Sequence, residues 1–175
     1  GFYMKVAILG AGSIARSMCR TILGMKAQGR PVELYAIASR DTEKAIRFAR
    51  EQGVKRAYGS YEELLQDPAV ELVYIATPHS HHAEQLKLCI EYGKPVLCEK
   101  AFTANAAQAR EALALAREKG VYVAEAIWTR YMPARRIVDE LIASGAIGQP
   151  KLLTANLAYD VERIPRIVLP ELAGG

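Results

Sequence analysis

The chain has 175 residues, enough for one well-packed domain or for one domain plus part of another. Half of them are apolar (51%), 24% are charged and the net charge is +4, with Lys and Arg interspersed among Asp and Glu; this is the balance of a soluble globular protein and lacks the basic stripe of a nucleic-acid binder. No apolar run approaches the roughly 18 residues of a membrane span and the N-terminus lacks a signal-peptide pattern, so the sequence reads as cytoplasmic, with neither nucleic acid nor membrane as partner.

Beyond Gly1-Phe2-Tyr3, which are set apart from the fold, strand-like apolar runs alternate with helical patterns. Lys5 to Leu9 is a short β-rich run, followed by a glycine turn and a helix from about Ser13 to Met25. Gly29-Arg30-Pro31 breaks it, and Val32 to Ala38 is the second strand. Asp41 reads as an N-cap, with Glu43 favourable in the first turn of a helix that ends near Gly53. A short strand at Arg56 to Tyr58 precedes Ser60-Tyr61-Glu62-Glu63, a capping box for a short helix stopped at Asp67-Pro68. Leu72 to Ala76 is a buried strand, and Thr77-Pro78 opens a helix ending near Gly93. Pro95 to Glu99 is the fifth strand, Asn105 to Lys119 an alanine-rich helix closed by Gly120, and Val121 to Ala126 the sixth strand. Pro133 to Ser144 is an amphipathic helix with Ile137, Val138, Leu141 and Ile142 on its apolar side. Cys19, Cys89 and Cys98 are far apart and odd in number, which fits reduced core thiols rather than a disulfide or metal framework.

Strands joined by helical crossovers, with continuous rather than alternating apolar runs, imply an α/β fold: a doubly wound parallel sheet covered on both faces. Residues 4–126 are expected to form this unit and 127–149 a connecting helix. The segment 150–175 is different. Lys151 to Tyr159 reads as a strand with Leu153, Ala155, Leu157 and Tyr159 on one face, and nothing after it can pair with it. It is expected to open a second, truncated α/β domain; the rival expectation is pairing with a neighbouring chain.

Four features carry chemistry. Gly10-Ala11-Gly12-Ser13-Ile14-Ala15 is a G-x-G-x-x-A turn between a strand and a helix, the context that gives this motif meaning. Gly10 permits the tight turn, Gly12 lets a pyrophosphate approach the main chain, Ala15 allows close helix–sheet packing, and the helix N-terminus around Ser13 and Ile14 faces the anion. At the end of the second strand, an NAD-specific site places an acid for the ribose 2′-hydroxyl. Here Ser39 and Arg40 stand instead, a hydroxyl and a guanidinium suited to a 2′-phosphate, so NADP(H) is favoured over NAD(H). Asp41, one residue on, reads as the helix cap.

Thr77-Pro78-His79-Ser80-His81-His82 follows the fourth strand at the carboxyl edge of the sheet. No ligand set at recognisable spacing completes a metal site, so none is expected. His79 is expected to line the nicotinamide pocket with Thr77 and Pro78, and His81 and His82 to lie on the helix surface. Glu99-Lys100-Ala101 follows the fifth strand at the same edge. A partly buried lysine beside the cationic nicotinamide ring is suited to exchange a proton in carbonyl–alcohol chemistry, and Lys100 is the candidate catalytic residue.

Together, Val6-Ala7-Ile8-Leu9-Gly10-Ala11-Gly12, Ala76-Thr77-Pro78-His79-Ser80-His81-His82, Glu99-Lys100 and Glu125-Ala126-Ile127-Trp128-Thr129-Arg130-Tyr131-Met132-Pro133 resemble the Gfo/Idh/MocA oxidoreductases over nearly the whole chain. The branch most similar is that of dimeric dihydrodiol dehydrogenases and NADP-dependent sugar dehydrogenases. The resemblance implies a two-domain dehydrogenase acting on a sugar or diol, with a Rossmann domain holding NAD(P). A C-terminal domain would cover the substrate and form a homo-oligomer. It also implies that Lys100 assists proton transfer during hydride transfer and that Trp128 and Arg130 approach the cofactor and domain junction.

Two departures stand out. Ala101 replaces the proline usual after the lysine. The family's remaining active-site segment follows a glycine-rich stretch whose start Leu172-Ala173-Gly174-Gly175 resembles, so this piece is expected to bind NADP(H) with little turnover alone. The alternative is a non-catalytic dinucleotide-sensing or partner-binding Rossmann module, which would not need Lys100; an assembly subunit adding its last strand to a neighbour is a third.

Overall fold

Runs rich in Val, Ile, Leu and Tyr, cut by Gly, Pro, Asn and Asp, produce a regular alternation of strands and helices. The structure is a computed structural model that describes residues 2–173. The strands are β1 (Met4–Leu9), β2 (Val32–Ala38), β3 (Arg56–Tyr58), β4 (Leu72–Ile75), β5 (Val96–Glu99) and β6 (Val123–Ala126). Between them lie α1 (Ser13–Ala27), α2 (Thr42–Gln52), α3 (Tyr61–Gln66), α4 (His82–Glu91) and α5 (Ala106–Lys119), and α6 (Pro133–Ala143) follows β6. The caps expected at Asp41 and Ser60 form: Asp41 Oδ1 accepts from Lys44 N at 3.1 Å and Ser60 Oγ from Glu63 N at 3.1 Å. Asn105, read as the first residue of its helix, is instead the N-cap of α5, its Oδ1 accepting from Gln108 N at 3.0 Å.

All pairings are parallel, in the order β3-β2-β1-β4-β5-β6. This is the doubly wound order whose reversal between β1 and β4 leaves a crevice at the carboxyl edge. The register makes that edge level. Leu9 lies opposite both Ala38 and Ile75, Ile75 opposite Cys98, and Glu99 opposite Ala126. The turns after β1, β2, β4 and β5 therefore emerge side by side.

Strand residues divide between two cores, which explains why the strands read as continuously apolar. Ala7, Leu9, Ala36, Ala38, Val73 and Ile75 pack with Leu64, Leu65, Leu86, Cys89 and Ala112 of α3, α4 and α5. Val6, Ile8, Leu34 and Ile37 pack with Ala15, Cys19, Ile22 and Phe48 of α1 and α2 on the other face. The three cysteines are buried free thiols. Burial pushes the pKa of Cys19 up to about 11 and that of Cys89 up to about 12, as befits inert core groups.

The edge strand β3 is tied down by Asp67. Its Oδ2 accepts from Tyr58 Oη at 2.6 Å and Tyr35 Oη at 3.0 Å, and its Oδ1 from Ala69 N at 2.9 Å. Burial alone would raise the Asp67 pKa, but the two hydroxyls, the amide and the nearby Arg56 charge together pull it below the usual aspartate range.

After β6 the chain changes character. The apolar side of α6, Ile137, Val138, Leu141 and Ile142, is exposed. The strand expected over Lys151 to Tyr159 does not form: these residues carry no regular structure, and Leu153 and Leu157 are 83% and 82% exposed. A strand needs a ladder partner for its main-chain groups, and none of the described residues supplies one. Two short turns, α7 (Pro165–Val168) and α8 (Pro170–Ala173), follow. The Gly174-Gly175 pair lies outside the described residues. Among the described residues no helix is long and apolar enough to cross a membrane.

Candidate cofactor site

The site starts at the turn after β1. Gly10 has φ +109°, and a Cβ there would stand 2.6 Å from Ala76 O, so both backbone and space demand glycine. Its amide donates to Ala38 O at 3.0 Å, while Ala76 N donates to Leu9 O at 2.9 Å, locking the end of β1 between its neighbours. Gly12 is the N-cap of α1, and a Cβ there would meet nothing within 4 Å. That open space, together with a first helical turn carrying neither a side-chain cap nor an acid, leaves main-chain amides for an anion. Ala15 is fully buried, which brings α1 close to the sheet. These features fit the pyrophosphate of a dinucleotide.

The level carboxyl edge gathers three turns into one cleft. Gly12, Ser13 and Ile14 come from the turn after β1, Ala76, Thr77, Pro78 and His79 from that after β4, and Glu99 and Lys100 from that after β5. The cleft thus unites eight residues singled out from sequence and adds Ala76. Glu99 is fixed from both sides: Oε1 accepts from Tyr74 Oη at 2.6 Å and Oε2 from Lys100 N at 3.1 Å. Burial first, then the Glu99 carboxylate, holds the Tyr74 pKa far above its ordinary value and keeps the phenol a donor. Lys100 is exposed rather than partly buried as expected, and the Lys100–Ala101 peptide is cis.

A second cavity, lined by Arg40, Gly59, Ser60, Tyr61, His81 and Gln85 among others, opens beyond β2. Gln85 hydrogen-bonds Thr77 Oγ1, so this pair contributes one member to each cavity. Burial raises the Tyr61 pKa, and the charge and hydrogen bond of Arg40 oppose that rise. Ser39 is mostly buried, and its hydroxyl accepts from Asp41 N at 3.3 Å. Because Asp41 caps α2, its carboxylate is already engaged, which leaves Arg40 as the charged side chain at the end of β2 that lines the cavity.

His82 departs from expectation. It is fully buried, not a surface residue: Nδ1 is 2.6 Å from Ala101 O and Nε2 2.9 Å from Thr77 O. Both ring nitrogens face carbonyl oxygens, and the His79 ring lies 5.7 Å away. The signal was in the spacing, because His82 shares a helix face with the buried Leu86, Cys89 and Ile90. His81 lines the second cavity. Trp128 and Arg130 sit in a 3₁₀ turn (Trp128–Tyr131) and are exposed; neither lines the cleft. Glu125, which opens one of the segments that carry the resemblance but received no role there, accepts from Phe102 N at 2.9 Å.

Comparison with known proteins agrees with this architecture. The profile of the oxidoreductase family with an NAD-binding Rossmann fold, Gfo/Idh/MocA, matches residues 4–127. A trans-1,2-dihydrobenzene-1,2-diol dehydrogenase from Mus musculus is 40% identical over 98% of this chain and 51% of its own length. A D-xylose 1-dehydrogenase (NADP(+)) from Hypocrea jecorina is 40% identical over 99% of this chain and 49% of its own. The chain therefore spans about half the length of the curated relatives it matches. Among solved structures, a 3-ketoreductase from Actinomadura kijaniata in complex with NADP superposes with a TM-score of 0.73 and 32% identity, covering 84% of this chain and 46% of that one. An NAD binding oxidoreductase from Klebsiella pneumoniae gives a TM-score of 0.76 at 32% identity, over 85% of this chain and 40% of that one. With its nucleotide-type cleft at the β1/β4 reversal and a profile match over most of its length, the chain belongs to the Gfo/Idh/MocA family of oxidoreductases.

Proposed function

We propose that this chain carries the cofactor site of an NADP(H)-dependent oxidoreductase acting on a carbohydrate or diol. One observation supports the reading: one cleft at the sheet reversal is lined both by Gly12, Ser13 and Ile14 of the glycine turn and α1 N-terminus and by Lys100. Main-chain amides at Gly12, Ser13 and Ile14 bind the pyrophosphate. Arg40, with the neighbouring Ser39 hydroxyl at the end of β2, receives a 2′-phosphate. Thr77, Pro78, His79 and Glu99 shape the nicotinamide end of the cleft. The nicotinamide, when bound, exchanges a hydride with a substrate carbon. Lys100 gives or takes the accompanying proton at the substrate oxygen, work usually worth about 10²–10⁴-fold in rate.

Residues 4–126 serve as the cofactor domain and 127–149 as the junction, where Trp128 and Arg130 approach the bound nucleotide. The stretch 150–175 belongs to a substrate-covering and oligomer-forming domain. The exposed apolar side chains of that region and the half-length coverage of the relatives support this division. The 175-residue chain alone binds NADP(H) with little turnover.

Calorimetric titration of the purified chain with NADPH and NADH tests the cofactor reading, with tighter binding of NADPH expected. Binding of neither would sink it. Rapid oxidation of sugars or diols by the same chain would overturn the division of labour.

A further inference from the structure

We infer that Glu125 and His82 are positioning residues that aim Lys100, an inference that rests on reading Lys100 as the proton-transfer group. The turn Lys100-Ala101-Phe102 joins β5 to α5, and side chains take up its polar main-chain groups. Lys100 N donates to Glu99 Oε2 at 3.1 Å, Ala101 O lies 2.6 Å from His82 Nδ1, and Phe102 N donates to Glu125 Oε1 at 2.9 Å. The three clamps come from β5, α4 and β6, so the turn is held from three directions.

The second His82 nitrogen reaches Thr77 O at 2.9 Å. One buried ring thereby stands between the Thr77 wall of the cleft and the turn that bears Lys100, and its N–H donates to one of the two carbonyls. Neither His82 nor Glu125 lines the cleft, so both act through the turn and not on a ligand. The Lys100 side chain is exposed, long and flexible, so its reach is set by where its Cα is held. A displacement of about 1 Å can cost roughly 100-fold in rate without removing any reacting group.

The test uses the full-length protein. Glu125→Met keeps the shape and loses the acceptor; Glu125→Gln keeps an acceptor oxygen at the same place. Glu125→Met is expected to lower kcat by about 10–100-fold while leaving the KM for NADPH within about threefold, and Glu125→Gln to recover most of the loss. In wild-type protein the Phe102 amide should exchange hydrogen slowly, and in Glu125→Met quickly. If Lys100→Met is inactive while Glu125→Met turns over at the wild-type rate, the positioning inference is overturned and the Lys100 reading stands. If Lys100→Met retains turnover, the Lys100 reading itself falls. Equal losses in Met and Gln variants, spread over kcat and KM alike, would mark a merely structural carboxylate and overturn the inference. Should Glu125→Met fail to fold by circular dichroism, the wild-type Phe102 amide decides, and exchange at the free-peptide rate rejects the clamp.

Discussion

The chain uses apolar side chains in two ways, and the change falls near Ala126. Up to β6 they are paired off: Ile8, Ile75, Leu86 and Val96 are wholly buried between sheet and helices. From Ile127 onward the same kinds of residue face outward: Trp128, Tyr131, Leu153 and Leu157, and the apolar side of α6. Both regions carry amphipathic patterning. The difference is that β1 to β6 provide each other with ladder partners and α1 to α5 provide cover, whereas α6 and the stretch after it have no facing layer among the described residues. A hydrophobic pattern thus states which face wants burial, not what buries it.

Mutations can break or sharpen this contrast. The largest effect belongs to the paired region: Leu86→Ala, emptying a fully buried site between sheet and α4, is expected to cost about 2–5 kcal/mol in denaturant unfolding. Gly10→Ala follows, at about 2–4 kcal/mol, because it combines a positive φ with a Cβ driven into Ala76 O; dinucleotide binding should vanish in the same titration that reads wild-type affinity. Arg40→Ala tests the rim of the paired region, where the proposed 2′-phosphate contact lies. It is expected to weaken NADPH by about 1.5–3 kcal/mol and leave NADH nearly unchanged by calorimetry.

Asp67 tests the far edge of the sheet. Its folded pKa is depressed, so its contribution is present above the unfolded value of 3.8 and is lost as pH falls through the lower folded value. Burial first, then the Asp67 hydrogen bond, raises the pKa of Tyr35 and of Tyr58. Their contribution is therefore full below the unfolded value of 10 and lost as pH rises through the folded one. Thermal melts of Asp67→Asn, about 1–2 kcal/mol less stable at neutral pH, should show a weaker pH dependence at both ends than wild type. The smallest effect belongs to the unpaired region: Leu153→Ser and Leu157→Ser should shift stability by less than about 0.5 kcal/mol while reducing binding of a hydrophobic dye.

Much of the site was legible because its signals are local. The glycine turn, Thr77-Pro78-His79 and Glu99-Lys100 each sit at the end of an apolar run. A parallel sheet with level strand ends brings such turns together without further instruction. What escaped was contact at a distance. His82 stands in a polar run, although its phase with Leu86, Cys89 and Ile90 points inward. Glu125 sits in an ordinary edge strand, and only the approach of Phe102, 23 residues earlier, gives it work. The expected strand at Lys151 to Tyr159 failed for the complementary reason, since its alternation is local but its partner would have to come from elsewhere.

By itself, then, the sequence determined the order of elements from Met4 to Ala143, their caps, the phosphate-type turn and the lysine at the sheet edge. Propensity, capping and hydrophobic period act within a few residues and are written there in full. Only the tertiary structure decided that eight of the candidate residues share one cleft, that Arg40 lines a second cavity, and that His82 and Glu125 contact the turn that bears Lys100. Those outcomes depend on strand order, register and hydrogen bonds between residues distant in the chain, which local chemistry permits but does not specify.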